Sequence, residues 1–337
     1  MKMIGFKKGS SVDDEDGLFD MTGEMPVPGP REVLVQVRAV GVNPLDTKVR
    51  AGRVDVPERV VTLGWDVAGI VHAVGSEVTL FAPGQAVYYA GSFDRAGANA
   101  EYHLVDERIA ARMPATLDFA QAASVPLAAL TAWQLLFERF AITPGDRQPR
   151  ASLLVLGGAG GVGSMLIQLA RQLTGLTVIA TASRGDSVHW CRAMGAHHVI
   201  DHTLPLPAQV AALNVAPVCH IAALSHTASH FAELVELIAP HGKLAVIDDH
   251  DVFDAAPLKG KSVSLHWEMV FTRPLFATDD MIEQQRILQR VARLLDEGVL
   301  RHTLRQRLSP MDAATVLRAH ALLQRGGQPG KIVVSGW

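Results

Sequence analysis

The chain has 337 residues, 48% hydrophobic and 19% charged, which is enough apolar material for about two packed domains. Its formal net charge is -3 and its basic residues are interleaved with acidic ones, which excludes the basic patch that a nucleic-acid or anionic-membrane partner requires. The two cysteines, Cys191 and Cys219, are too few for a secreted disulfide framework and are expected as reduced thiols in a cytoplasmic protein.

In chain order, residues 1–17 carry no apolar core ahead of the acidic run at 13–16, so they are not expected to form a signal peptide. Residues 32–40 alternate, with Val33, Val35, Val37 and Ala39 on one face and Gln36 and Arg38 on the other, the period of a strand. Apolar runs at 67–74, 85–89 and 100–105, punctuated by Gly64, Gly75, Pro83-Gly84 and Gly97, extend this into short antiparallel strands with tight turns. The tract 119–137 is the longest with little charge. Gln121, Ser124, Pro126, Thr131 and Gln134 interrupt it, so it is expected as buried helix and turn, and no apolar stretch is expected to span a membrane.

From residue 152 the pattern changes. A strand at 152–156, a helix at 162–173, a strand at 177–182, a helix at 187–194, strands at 198–200 and 218–224, a helix at 228–239 and a strand at 243–247 follow one another. Alternating units of this size predict an α/β, doubly wound parallel sheet. After 264 the pattern loosens; Ile282, Ile287, Leu288, Val291 and Leu295 predict a helix over 281–295, and a strand is expected at 331–334. The plan is a β-rich domain over 1–124, interrupted by a doubly wound domain over 125–268 and completed by 269–337.

The segment Leu156-Gly157-Gly158-Ala159-Gly160-Gly161-Val162-Gly163 holds G-x-G-x-x-G at Gly158, Gly160 and Gly163, between the first of these strands and its helix. In that context Gly158 is expected to make the tight turn, Gly160 to admit a pyrophosphate against the backbone, and Gly163 to let helix and strand pack closely. Ala159, Gly161 and Val162 complete the turn, whose helix N-terminus offers free N–H groups to phosphate. The next strand ends in Ser183-Arg184, with no carboxylate before Asp186. A carboxylate would repel a ribose 2′-phosphate whereas a guanidinium pairs with it, so the expected cofactor is NADPH. Leu224 and Asp248 end later strands at the same edge of the sheet, where ligands bind in such folds. His226 and His230 have helical spacing but lack the intervening glutamate of a zinc-protease motif, and are expected as polar residues at a helix start.

These features resemble the medium-chain dehydrogenase/reductase superfamily over nearly the whole chain, in its quinone oxidoreductase-like branch and the bacterial zinc-type alcohol dehydrogenase-like proteins. The resemblance is carried by the glycine turn together with Val40-Gly41-Val42-Asn43-Pro44-Leu45-Asp46, Leu63-Gly64-Trp65-Asp66-Val67-Ala68-Gly69, Val87-Tyr88-Tyr89-Ala90-Gly91, Thr131-Ala132-Trp133, Gly195-Ala196 and Gly330-Lys331-Ile332-Val333. It implies a GroES-like catalytic domain, a Rossmann domain, a nicotinamide held in a cleft, and a homodimer. It further implies that Asn43 lies near the nicotinamide ribose or a substrate carbonyl as the catalytic amide, that Thr131 lies against the nicotinamide, and that Lys331 belongs to the cofactor site. Where zinc relatives carry ligands, this chain has Asn43, Trp65 and Leu127, leaving Asp66 as the one ligand-type residue, so no metal is expected. Relatives also carry a tyrosine proton donor in the stretch matching Ala51-Gly52-Arg53-Val54; this chain has none, and Tyr89, Asp46 and Lys48 are the nearest polar groups, expected to be structural. Without a Lewis acid, hydride transfer from NADPH to a quinone or an enone is the expected chemistry. An alcohol or aldehyde dehydrogenase of the same fold, and a non-enzymatic NADPH-binding protein of the sensor or crystallin-like kind, stay open.

Overall fold

The computed structural model describes all residues except 11–12, 59–60, 148–149 and 250–251, and the side chain of Glu15. The chain folds as two units: Met1–Leu130 with Phe271–Gly326 and Lys331–Trp337, and Thr131–Val270 with Gly327–Gly330.

The second unit is the doubly wound sheet. Its six strands are all parallel and lie in the order His198–Ile200, Thr177–Thr181, Ser152–Leu156, Val218–Ala223, Ile238–Val246, Ser264–Trp267. Numbered along the chain this is 3-2-1-4-5-6, the dinucleotide-binding order, with the direction of winding reversing at Ser152–Leu156. The helices Gly161–Leu173, Gly185–Ala193, Leu206–Ala212 and Thr227–Leu237 alternate with the strands. Leu153, Leu154 and Val155 are wholly buried, as expected of a central parallel strand covered on both faces. The expected strand at 243–247 begins earlier, at Ile238.

The first unit is built on a seven-stranded sheet. Its path runs Leu304–Leu308, Lys331–Ser335, Glu32–Gly41, Asp66–Val74, Ala86–Ala90, Ala110–Arg112, and Tyr102–Asp106 also pairs with Glu32–Gly41. All ladders are antiparallel except that between Leu304–Leu308 and Lys331–Ser335. Val33, Val35, Val37 and Ala39 are buried as their alternation predicts, but Leu34 and Val40 on the other face are buried too, so this central strand is covered on both sides. In the helix Ile282–Asp296, Ile287, Leu288, Val291 and Leu295 are buried, and Tyr88 donates to the Leu288 carbonyl at 2.6 Å.

Several elements have no counterpart among those expected from the sequence, including the helices Pro44–Arg50 and Leu206–Ala212 and the strands Ser264–Trp267 and Leu304–Leu308. Lys2–Phe6 and Leu18–Thr22 form an antiparallel hairpin, and Ala313–Arg325 is a helix capped by Asp312, which accepts from Thr315 N at 2.8 Å. The tract expected as buried helix and turn is so built: Phe119–Ala122 and Pro126–Trp133 are helices separated by a turn at 123–125, although the whole run Phe119–Arg139, 21 residues with mean hydropathy 1.2, is long and apolar enough to cross a membrane. Pro126 opens the second helix, where its missing N–H costs nothing. The most apolar stretch of the run is 89% buried in the protein, which marks a core helix.

Candidate active site

The glycine turn leaves Ser152–Leu156 at the switch point of the sheet and enters Gly161–Leu173, whose N-cap is Gly160. The left-handed residue of the turn is Gly157, at φ +87, and not Gly158. Gly158 is constrained by packing instead: a Cβ there would lie 2.8 Å from Ala180 Cβ and 3.2 Å from Cys191 Sγ. At Gly163 a Cβ would lie 2.5 Å from Gly157 O and 2.6 Å from Gly158 O, so the close helix packing is as expected. At Gly160 a Cβ would meet only Gly157 O, at 3.8 Å, and the residue is exposed. The protein therefore leaves space over Gly160 beside the free N–H groups of a 13-residue helix, a cradle that fits a pyrophosphate. Val162 is half-buried behind it.

Ser183 and Arg184 are exposed at the end of Thr177–Thr181 and before the helix Gly185–Ala193. Two neighbours of this pair come from distant sequence. Ser183 Oγ lies 3.3 Å from His202 Nε2, and the Arg184 guanidinium lies so close to Gly327, at φ +80, that any side chain there would overlap Nη1. The same short segment returns Gly330 N to the carbonyl of Ala159 in the glycine turn, at 2.8 Å. Leu224 and Ser225 pack against Gly157, where a Cβ would be 3.7 Å from Leu224 Cβ. Asp248 caps Thr227–Leu237, accepting from Thr227 N at 3.0 Å and from Thr227 Oγ1. Thr131 is buried in Pro126–Trp133.

In the first unit, three adjacent strand ends gather a polar cluster. Asn43 follows Glu32–Gly41, Asp66 begins Asp66–Val74, and Lys331 begins Lys331–Ser335; the registers Val333↔Gly41 and Val40↔Val67 bring these ends together. The Lys331 ammonium donates to Asp66 Oδ2 at 2.8 Å, to Val42 O at 3.0 Å and to Asn43 Oδ1. Asn43 Nδ2 donates to Asp66 Oδ2 at 3.2 Å and Gly41 O at 3.3 Å, and Asp66 Oδ1 accepts from Leu127 N at 2.9 Å. All three side chains are buried. Removing one partner of such a pair would leave an uncompensated buried charge, at a cost of about 3–5 kcal/mol. Asp46 braces the cluster, accepting from Asn43 N at 2.7 Å and Gly64 N at 2.8 Å; burial pushes its carboxyl up to about 6.

These residues do not fit zinc. Trp65 is wholly buried, Leu127 offers only its backbone N–H, and Asn43 and Asp66 already ligate an ammonium. Among the described residues no group of three or more His, Cys, Asp or Glu is placed to hold a metal. The other polar residues near the cluster have internal partners: Tyr89 Oη lies 2.9 Å from His103 Nδ1, and burial holds its phenol well above the usual range. His226 takes a left-handed turn before Thr227–Leu237, and His230 Nδ1 lies 3.1 Å from Glu233 Oε2.

Comparison with known proteins identifies the family. Residues 29–115 match the alcohol dehydrogenase GroES-like domain family, and residues 194–334 match the zinc-binding dehydrogenase family. A zinc-type alcohol dehydrogenase-like protein of Staphylococcus aureus (strain MSSA476) is 37% identical over 99% of this chain and 100% of its own length. A quinone oxidoreductase of Pseudomonas aeruginosa is 31% identical over 91% of this chain and 92% of its own. A crystal structure from Rhizobium etli CFN 42, provisionally described as a zinc-dependent alcohol dehydrogenase, superposes with a TM-score of 0.94 at 49% identity, covering 100% of this chain and 98% of that one. A mycobacterial protein complexed with NADPH (TM-score 0.84, 26% identity, 99% of this chain and 100% of that one) and an NAD-dependent alcohol dehydrogenase (0.83, 26%, 100% of both) share the fold. The chain therefore belongs to the medium-chain dehydrogenase/reductase superfamily, as an oxidoreductase with a GroES-like unit and a Rossmann unit.

Proposed function

We propose that this protein is an NADPH-dependent reductase of quinones or conjugated carbonyl compounds that works without zinc. The observation that carries this reading is the content of the metal-ligand positions: Asn43, Trp65 and Leu127 offer no ligand, and Asp66 is paired with Lys331. A substrate alkoxide would find no Lewis acid there, whereas a conjugated acceptor spreads incoming negative charge over its own π system, so that neutral donors suffice. NADPH, when bound, supplies the hydride. The turn over Gly160 would hold its pyrophosphate, and Ser183 and Arg184 its 2′-phosphate. Asn43 is the residue we assign to the acceptor oxygen. Its amide nitrogen donates to Asp66 Oδ2 at 3.2 Å and to Gly41 O at 3.3 Å, and serving an acceptor oxygen would exchange one of these bonds for it.

The relative named as a quinone oxidoreductase and the NADPH-bound structure support the acceptor and the cofactor. The test is a steady-state comparison of quinones, enones and primary alcohols, with metal analysis of the same preparation. We expect quinone or enone turnover with NADPH, little alcohol oxidation, and no stoichiometric zinc. Asn43→Ala should lower kcat by about 10-fold to 1,000-fold, the range for losing an oxyanion donor. About one zinc per chain with activity lost to chelator, or alcohol turnover matching enone turnover in metal-free protein, would refute the reading.

We also propose a cytoplasmic homodimer. The two free cysteines suit a reducing compartment. The outermost strand of the Rossmann sheet, Ser264–Trp267, has one strand neighbour among the described residues, with Trp267 53% and Met269 42% exposed beside it. Two copies pairing along this edge would cover both. Trp267→Lys should then shift the sedimentation coefficient to that of a monomer; an unchanged value rules out this edge.

A further inference from the structure

The ammonium of Lys331 is completely used. It has three N–H donors, and they meet three acceptors: Val42 O, Asn43 Oδ1 and Asp66 Oδ2. Its side chain crosses from the strand Lys331–Ser335 past the end of Glu32–Gly41 to the strand beyond, and is 5% exposed at the residue level. Of its side-chain partners, Asn43 stands at one of the positions where zinc relatives carry ligands, and Asp66 is held in turn by the N–H of Leu127, at another. The surroundings also dictate which way the Asn43 amide points. Its oxygen faces the ammonium, and its nitrogen faces the Asp66 carboxylate and the Gly41 carbonyl. A flipped amide would set N–H against N–H at Lys331 and oxygen against oxygen at Asp66, so both contacts would become repulsive.

We infer that Lys331 is a positioning residue for the reaction, a fixed cation in the metal's place that neutralises Asp66 and locks the Asn43 amide in one orientation, its oxygen on the ammonium and its nitrogen on Asp66 and Gly41. Lys331 then acts through Asn43 and needs no contact with cofactor or acceptor. The inference rests on the reading that Asn43 serves the acceptor oxygen.

The test is a mutant cycle, read as kcat and KM at saturating NADPH with a quinone, alongside NADPH Kd and Tm. Lys331→Met leaves the Asp66 carboxylate buried without its cation and can fail to fold. Lys331→Met/Asp66→Asn removes both charges, a change that buried ion pairs commonly tolerate, and keeps an oxygen for Leu127 N. We expect this double variant to regain Tm close to wild type while kcat falls about 10-fold to 100-fold, with KM and NADPH Kd within about 3-fold. Adding Asn43→Ala should lower kcat no further than Asn43→Ala does alone, because both changes remove the same donor. A purely structural role for Lys331 predicts instead that activity returns with stability. Wild-type kcat in Lys331→Met/Asp66→Asn, or effects that multiply when Asn43→Ala is added, would overturn the inference while leaving the role of Asn43 standing. Wild-type kcat in Asn43→Ala alone would overturn both.

Discussion

The glycine turn of the Rossmann unit and the Asn43–Asp66–Lys331 cluster of the GroES-like unit treat their polar groups in opposite ways. The turn keeps its groups open: Gly160, Ser183 and Arg184 are exposed, and the first N–H groups of Gly161–Leu173 lack intrahelical partners. The cluster closes on itself: Asn43, Asp66 and Lys331 are buried, and the three ammonium donors are all taken. An open site gains its energy when a ligand arrives. A closed one has already used that energy to fix geometry, so substitutions there should act on stability and turnover before they act on cofactor affinity.

The largest effect that would separate steric from ligand-facing glycines is Gly163→Val. Its side chain would run into the carbonyls of Gly157 and Gly158, and a loss of about 3 kcal/mol or more is expected by denaturant melting, because backbone on both sides cannot yield. An unchanged midpoint would mean that the helix does not sit where it is described.

Acid should strain both units through neutral buried histidines. Burial pulls His103 and His220 down to about 4 and His320 to about 3, all below the ordinary 6.5 of the unfolded chain. Between those values the unfolded chain takes up protons that the native one refuses. The stability they contribute is therefore full above pH 6.5 and is lost as pH falls towards 4 and below. From pH 7 to pH 5 each should cost about 2 kcal/mol. His320→Leu in the first unit and His220→Leu in the second should each flatten that slope by about this amount in melts at the two pH values. A slope identical to wild type in both would remove the histidines from the account.

Cofactor choice gives an effect of similar or smaller size. Arg184→Ala should narrow the gap between NADPH and NADH binding by roughly 1–3 kcal/mol, measured as Kd by fluorescence titration. Gly327→Ala, which displaces the guanidinium without removing it, should give part of that change. Equal affinity for both cofactors in the wild type would end the argument for Arg184. The smallest effect is expected at Gly160→Ala: a stability change within about 0.5 kcal/mol, since the added methyl meets only Gly157 O, together with weaker NADPH binding. A large drop in Tm with unchanged NADPH affinity would invert the comparison between the two sites.

The sequence by itself determined what depends on near neighbours. The alternation of strand and helix from Ser152 to Val246, the glycine turn and the Ser183-Arg184 strand end could all be read locally, because periodicity and turn chemistry act within a dozen residues, whereas the missing ligands at Asn43, Trp65 and Leu127 were legible only through the family resemblance. The helix Ala313–Arg325 was equally readable, from Asp312 as its cap and the spacing of Val316, Ala319 and His320. Tertiary structure alone decided that Gly157, and not Gly158, takes the left-handed turn, since neighbouring strand and helix crowd Gly158. It also set His202 beside Ser183 and Gly327 beneath Arg184. Above all it decided the partners of Lys331, which stand 288 and 265 residues away along the chain at Asn43 and Asp66. No local pattern records such a meeting. It follows from the order and register of three strands in one sheet, which the buried side chains of the whole unit fix together.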